Sequence, residues 1–386
     1  MREKTMGPLQ GIRIVEFAGL GPGPFCGMLL SDLGAEVIRI DRQQALAGRV
    51  DHDPRSQVMN RGRRSIAVDL KNPDACAAVL RLINQSDALI EGYRPGVMER
   101  LGLGPETCMA GNPRLIYGRM TGWGQDGPLA MAPGHDINYI ALTGTLNAIG
   151  RRDAPPTPPL NLVGDFGGGA YLAMGLLAAI LEAKTSGKGQ IVDTAMVDAA
   201  ASMMAYFFGF SASGYWSDER GSNYLDSGSP FYDTYETSDG KWIAIGSVEA
   251  KFWEQTWQLL GLDLADMPPQ HDRGNWQDTK AKVTAAVKQK SRDEWTRIFD
   301  GQEACVAPVL SIPESASHPH IAARQTVVNF EGIEQPAPAP RFSRTSAELD
   351  LPPPARGEHS EAILRDWGFD AAEISALKES GAVMQA

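Results

Sequence analysis

Residues 12–40 open with Ile12-Arg13-Ile14-Val15-Glu16-Phe17, turn at Gly19-Leu20-Gly21-Pro22-Gly23-Pro24, continue from Phe25 to Leu33 with helical spacing, and return as Glu36-Val37-Ile38-Arg39-Ile40. A β-branched run ended by glycine, a helical run and a second β-branched run make one strand–helix–strand unit. The alternation goes on. Ser65 to Leu70 reads as a strand, and Asn72 to Ser86 as a helix opened by a cap residue followed by proline. Ala88-Leu89-Ile90 and Leu115-Ile116-Tyr117-Gly118 read as further strands. Such a succession predicts an α/β fold, a Rossmann-like domain whose mainly parallel sheet is covered by helices.

Downstream, Asn161-Leu162-Val163-Gly164-Asp165 reads as a strand-like run leading into an apolar helix from Phe166 to Leu181. Another strand follows at Lys188 to Asp193, then a long helix to about Ser213. Tyr232 to Tyr235 and Lys241 to Gly246 flank Ser238-Asp239-Gly240, a hairpin signal that opens a smaller α+β unit. A Pro-rich stretch, 336–355, leads to a last helix pair, Ser360 to Trp367 and Ala371 to Lys378. The expected division is a large domain over 1–215, a small α+β domain over 216–325, and a segment over 326–386 returning to the large domain.

Composition narrows the function. A net charge of −11 argues against nucleic acid as a partner, since phosphate backbones require a clustered basic surface. Cys26, Cys76, Cys108 and Cys305 lie far apart, with neither a zinc pattern nor a disulfide framework, so no metal is expected and a cytoplasmic location is. Cys305 reads as a packed small residue. The polar N-terminus is no signal peptide. The 166–181 run falls about one turn short of a bilayer, so a core helix and no membrane span are expected.

Gly19-Leu20-Gly21-Pro22-Gly23, with Asp41 ending the next strand, imitates a dinucleotide fingerprint. That motif works through backbone N–H groups aimed at pyrophosphate, and Pro22 and Pro24 have none. A closely packed turn is the better account. Arginines in three segments (Arg39 and Arg42; Arg61, Arg63 and Arg64; Arg94 and Arg100) read as exposed, at the ends of successive strands. Their donor forks match phosphate, which suits a polyphosphate carrier.

An acid–base pair stands further on. Gly134-His135-Asp136-Ile137-Asn138-Tyr139 places a histidine at a helix start. Asp165 is followed by Phe166 and then Gly167-Gly168-Gly169, where bare backbone lets a ligand approach. The plainer readings are a structural histidine and an N-cap aspartate. Removing a proton beside a thioester carbonyl needs a positioned base and a hold on the enolate oxygen, which N–H groups near Asp165 could supply. Inversion needs a second group on the opposite face, so His135 and Asp165 would alternate.

At these residues the sequence resembles the α-methylacyl-CoA racemases of the family III CoA-transferase superfamily. Gly21-Pro22-Gly23-Pro24, Val68-Asp69-Leu70-Lys71, Arg94-Pro95-Gly96-Val97-Met98-Glu99-Arg100 and Thr121-Gly122-Trp123-Gly124-Gln125 carry the superfamily resemblance. His135 together with Asp165 carries the racemase one. The resemblance implies interconversion of (2R)- and (2S)-2-methylacyl-CoA by a two-base proton transfer, with coenzyme A part of the substrate and no separate cofactor. The alternative is a family III CoA-transferase working through an acyl adduct on Asp136, although such enzymes usually carry an aromatic residue where His135 stands. A glutamate supporting the histidine is implied at Glu249, in surroundings that depart from the commoner pattern. Carrier contacts are implied at Arg42, along Val68, Asp69, Leu70 and Lys71, at Arg94 and Arg100, and at Gly134, Ile137, Asn138 and Tyr139. An interlaced homodimer is implied too. The acyl tail is not specified, and Met203-Met204-Ala205-Tyr206-Phe207-Phe208 is a candidate surface for it as much as ordinary core.

Overall fold

The computed structural model describes residues 7–44 and 53–386. They form two compact units, one comprising the chain up to Ile140 with Leu160–Ser202 and Pro319–Ala386, the other Ala141–Pro159 with Met203–His318.

The first unit begins with β1 (Arg13–Phe17), α1 (Pro22–Asp32), β2 (Glu36–Arg42), β3 (Arg63–Val68), α2 (Pro73–Ile83) and β4 (Ala88–Glu91). Short helices α3 (Val97–Arg100) and α4 (Pro105–Gly111) lead to β5 (Ile116–Thr121), after which α5 (Asp136–Leu142) starts. The capping expected at α2 is present: the Asn72 side chain accepts the Asp74 N–H, and Pro73 takes the first position. The sheet order is β12-β3-β2-β1-β4-β5-β6, where β6 is Gln190–Ala195 and β12 is Val383–Met384. Every pairing is parallel except β12 on β3. Strand order reverses direction beside β1, where open sheets of this kind bind ligands at their carboxyl ends.

Both faces of this sheet are covered, so its strands are mostly apolar, and charges within them such as Glu16, Arg39 and Asp41 are buried in ion pairs. On one face Val15, Phe17 and Ile38 pack with Val79 and Leu82 of α2 and with Ile363 and Trp367 from the α15 (Ser360–Asp366) and α16 (Ala371–Glu379) region. On the other, Ile14 and Val37 pack with Leu30 of α1 and with Leu172, Leu176 and Ile180 of α7 (Gly167–Ser186). Helix α7 outruns its expected end at Leu181, and Leu162–Ser186 has the length and mean hydropathy (1.5) of a bilayer-crossing helix. Its inner face is nevertheless core. The unit is completed by α8 (Met196–Met203), α14 (Pro319–Ala323) and the hairpin of β10 (Val327–Phe330) with β11 (Ile333–Pro336).

Two local readings change. Leu162–Phe166 is a turn of π-helix rather than a strand, and the helix expected to reach Ser213 breaks at Met204 into α8 and α9 (Ala205–Ala212).

The second unit holds α6 (Thr145–Ala148), α9, the antiparallel sheet β7 (Tyr232–Glu236), β8 (Trp242–Gly246) and β9 (Val306–Pro308), and helices α10 (Ala250–Leu259), α11 (Trp276–Val287), α12 (Arg292–Phe299) and α13 (Ile312–Ser317). Phe231, Trp253, Trp257, Trp276 and Trp295 dominate its core. Residues 141–159, expected in the large domain, belong here: Arg151 pairs with buried Asp233 at 2.6 Å, and Arg220 donates to the Asn147 and Ala154 carbonyls. The unit borders therefore fall after Ser202 and His318, not after 215 and 325.

Candidate active site

The segment after β5 brings His135 to the start of α5. Its backbone is fixed on both sides: the His135 N–H donates to Asn138 Oδ1 (3.0 Å), and its carbonyl accepts the Asn138 N–H (2.8 Å). Tyr139 Oη donates to the Gly134 carbonyl at 2.5 Å, and its ring meets Trp123 edge-on at 4.8 Å. Gly122 makes room for that ring, since a Cβ there would overlap it. The His135 side chain itself is exposed.

Asp165 lies in the π turn. Asn161 Nδ2 donates to its Oδ2 at 3.0 Å. The glycine–proline turn opening α1 closes on the same carboxylate: Gly21 has φ +62°, and a Cβ on it would stand 2.5 Å from Asp165 Oδ2. The stretch that imitated a nucleotide loop is thus a wall against this carboxylate. Burial pushes the Asp165 carboxyl above its ordinary value, the Asn161 bond opposes this, the Asp136 charge adds to it, and His135 pulls it down. His135 and Asp165 therefore lie within electrostatic reach of each other. Burial and Asp165 also raise the Tyr139 hydroxyl, while Arg94 lowers it, so that guanidinium is felt at the same place.

Two expectations for this region are corrected. The Gly164 and Asp165 N–H groups do not face open space for an enolate oxygen; both donate to Asp136 Oδ2, at 2.6 and 2.9 Å. Asp165 makes no capping hydrogen bond to α7, so the N-cap reading fails as well.

The arginines separate into two sets. Arg39, Arg61 and Arg63, read as exposed, are buried in ion pairs with Asp41 (2.8 Å), Asp32 (2.6 Å) and Glu16 (2.9 Å). Arg64 pairs with Glu36 and Asp366. Arg42, Arg94 and Arg100 are exposed and, among the described residues, have no carboxylate partner. The Arg42 guanidinium lies 5.4 Å from the centre of the Tyr93 ring.

The model of CoA-transferase family III matches residues 9–360. The chain belongs to CoA-transferase family III. It is 42% identical to the alpha-methylacyl-CoA racemases of Mus musculus and Homo sapiens, each alignment covering 96% of both chains. Among solved structures it is similar to a CAIB/BAIF family protein from Brucella suis, at 26% identity and a TM-score of 0.81 over 94% of this chain and all of that one. It is also similar to Rv3272 from M. tuberculosis, at 29% identity and a TM-score of 0.75 over 93% of this chain and 99% of that one.

Within this family III chain, the other expected positions are mixed. Val68 and Tyr139 are core side chains, so only their backbone could face a carrier. Lys71 is exposed and its N–H donates to Asp69 Oδ1 at 3.0 Å, while Leu70 packs on the core. Ile137 and Asn138 are exposed. Glu249 stands in the second unit at the N-cap of α10, where its side chain makes no capping bond. Cys305, expected to be packed, is exposed there with φ +49°. Among the described residues no cluster of His, Cys, Asp and Glu could hold a metal ion. A cavity of about 410 Å³ opens at the amino ends of β1 and β2, beside Arg13, Glu36 and Arg64; of the arginines read as suited to a carrier it is lined by Arg61 and Arg64, both already ion-paired, and by neither His135 nor Asp165.

Sequence reasoning missed the scaffold beneath the exposed arginines Arg94 and Arg100. Arg119 of β5 pairs with Glu91 (3.0 Å) and Glu99 (2.9 Å), and Glu91 accepts the Tyr93 N–H (2.8 Å). These bonds fasten the turn that carries Arg94 and Arg100. Burial pushes the Glu91 carboxyl up to about 7, against the Tyr93 N–H and Arg119. The signal available was a charge in each of two otherwise apolar strand runs.

Proposed function

We propose that this family III protein interconverts the (2R) and (2S) epimers of 2-methylacyl-CoA thioesters, with His135 and Asp165 as the two bases. The reading is carried by the approach of an imidazole and a half-buried carboxyl: Asp136, next to His135 in the chain, accepts the Asp165 N–H at 2.9 Å, and the Asp165 carboxyl responds to the His135 charge. The mouse and human relatives, named as racemases, favour it over CoA transfer.

The chemistry balances on these groups alone. One side chain takes the α-hydrogen as a proton, and the C–H pair moves into an enolate. The other side chain then returns a proton to the opposite face, and no electron leaves the substrate. A carboxyl raised by burial is suited to hold a proton in one direction and to take one in the other. Arg42, Arg94 and Arg100 hold the phosphates of the carrier. The backbone of Val68-Asp69-Leu70-Lys71 and residues Gly134, Ile137, Asn138 and Tyr139 line its path. Glu249 supports the imidazole, within an interlaced homodimer. The four unpaired thiols suit a reducing cytoplasm. Met203, Tyr206 and Phe208, all exposed, offer an apolar surface for the acyl tail.

The test is exchange in deuterium oxide without an acceptor acid. Wild-type protein should place deuterium on the α-carbon of a 2-methylacyl-CoA from either epimer. H135Q and D165N should each lose about a thousandfold in kcat while keeping their affinity for CoA. Wild-type turnover in either variant sinks the two-base reading, and a trapped acyl adduct on Asp136 would replace it with CoA transfer.

A further inference from the structure

Asp136 follows His135 directly in the chain, yet its side chain serves the other base. It is only 5% exposed, and its Oδ2 accepts the N–H groups of Gly164 and of Asp165 itself. The contact is tight enough to dictate its neighbour: a Cβ on Gly164 would stand 2.6 Å from that oxygen. The second oxygen, Oδ1, is buried and, among the described residues, has no hydrogen-bond partner. We propose that Asp136 is a positioning residue for the proton transfer, a single carboxylate that ties the Asp165 turn to the start of the His135 helix and so sets both bases against one carbon.

This rests on the two-base reading and adds a role that the two bases do not supply. A π turn is an uncommon local structure that persists where its surroundings hold it. Here the hold is a pair of charge-assisted hydrogen bonds to consecutive N–H groups. The negative charge of Asp136 also acts on its surroundings. The titratable groups facing Asp165 are Asp136, His135 and Tyr139 from the α5 segment; the α1 side presents Gly21, which has no side chain, and the turn itself presents Asn161. Asp136 is the carboxylate in this set that opposes ionisation of Asp165, after burial itself. Asp165 must be protonated in half of all turnovers, so that opposition has a use.

Asp136→Asn keeps the shape and one accepting oxygen but removes the charge. Its acid limb in the pH profile of kcat/KM should move to lower pH for both epimers. The plateau should fall by one common factor in the two directions, since no catalyst shifts the epimer equilibrium. Asp136→Ala removes both bonds and should lower kcat about 100-fold with KM for the thioester little changed. If Asp136→Ala does not fold, the Asn variant decides alone. A folded Asp136→Asn protein whose acid limb coincides with that of the wild type overturns the proposal. Should the wild type exchange no α-deuterium, the two-base reading falls; normal wild-type exchange beside an unmoved Asn profile removes this inference only.

Discussion

Beneath α1 the arginines are sealed; along the carboxyl rim of the same sheet they are open. Arg63 and Glu16 are both fully buried, and the guanidinium also donates to the carbonyls of Met59, Arg61 and Pro24. Helix α1 crosses so near that a Cβ on Gly27 would collide with both partners. Arg42, three residues after Arg39 on the same strand, is exposed and rests on an aromatic ring. Strand alternation puts Arg39 and Asp41 on one face and Arg42 on the other, so neighbouring arginines receive opposite tasks. A guanidinium with a carboxylate across from it is architecture, and one without is available to a phosphate.

Substitutions should widen that contrast. Arg63→Met leaves Glu16 buried without its partner, and the protein should lose about 3–5 kcal/mol in urea unfolding. A second change, Glu16→Leu, should restore much of it; a milder loss in the single variant would mean that the pair is not sealed. Arg42→Ala and Arg94→Ala should stay within about 0.5 kcal/mol of wild type in the same assay. Their cost should appear as KM, raised by roughly tenfold or more with kcat unchanged, as removal of uniform binding does. A collapse in kcat would move these residues from carrier binding into the chemistry.

The smallest effect belongs to His359, at the edge of the sealed region, where Nδ1 accepts the Ser65 N–H at 3.3 Å. Burial, with Arg64 and Arg55, holds its imidazole below the ordinary 6.5, against Glu358. The folded state then binds fewer protons than the unfolded one, so the contribution is complete above pH 6.5 and drains away as pH falls. The loss between about pH 7.5 and 5 should be small, because the imidazole is partly exposed and its interactions are screened by solvent. His359→Asn should flatten that part of the unfolding profile.

Much of the first unit was legible because its strands are buried on both faces and its helices carry their own start signals, as at Asn72-Pro73. The π turn at Leu162–Phe166 was not, because a β-branched residue beside glycine reads as extended until Asp136 is seen to claim two of its N–H groups. Strand β12, two residues long, is below any period. Nor could periodicity separate Arg61 from Arg100, since Asp32, the carboxylate that seals Arg61, stands 29 positions away in sequence. His135 and Asp165 were readable as residue types. Gly21 and Asn161, which shape the slot for Asp165, carry no acid–base chemistry of their own; Gly21 was legible as part of a packed turn, but not what that turn packs against.

The first unit is assembled from three stretches, with most of the second unit falling between the last two. Ala67 of β3 donates its N–H to Ser360, 293 positions later, and β12 pairs with the same strand. On the ribosome, β3 must therefore wait with one edge bare while the remainder is translated, at a time when the second unit can already fold. A parallel sheet closed by so distant a neighbour should form slowly, and its newborn edge is where a chaperone or a stray strand would find purchase.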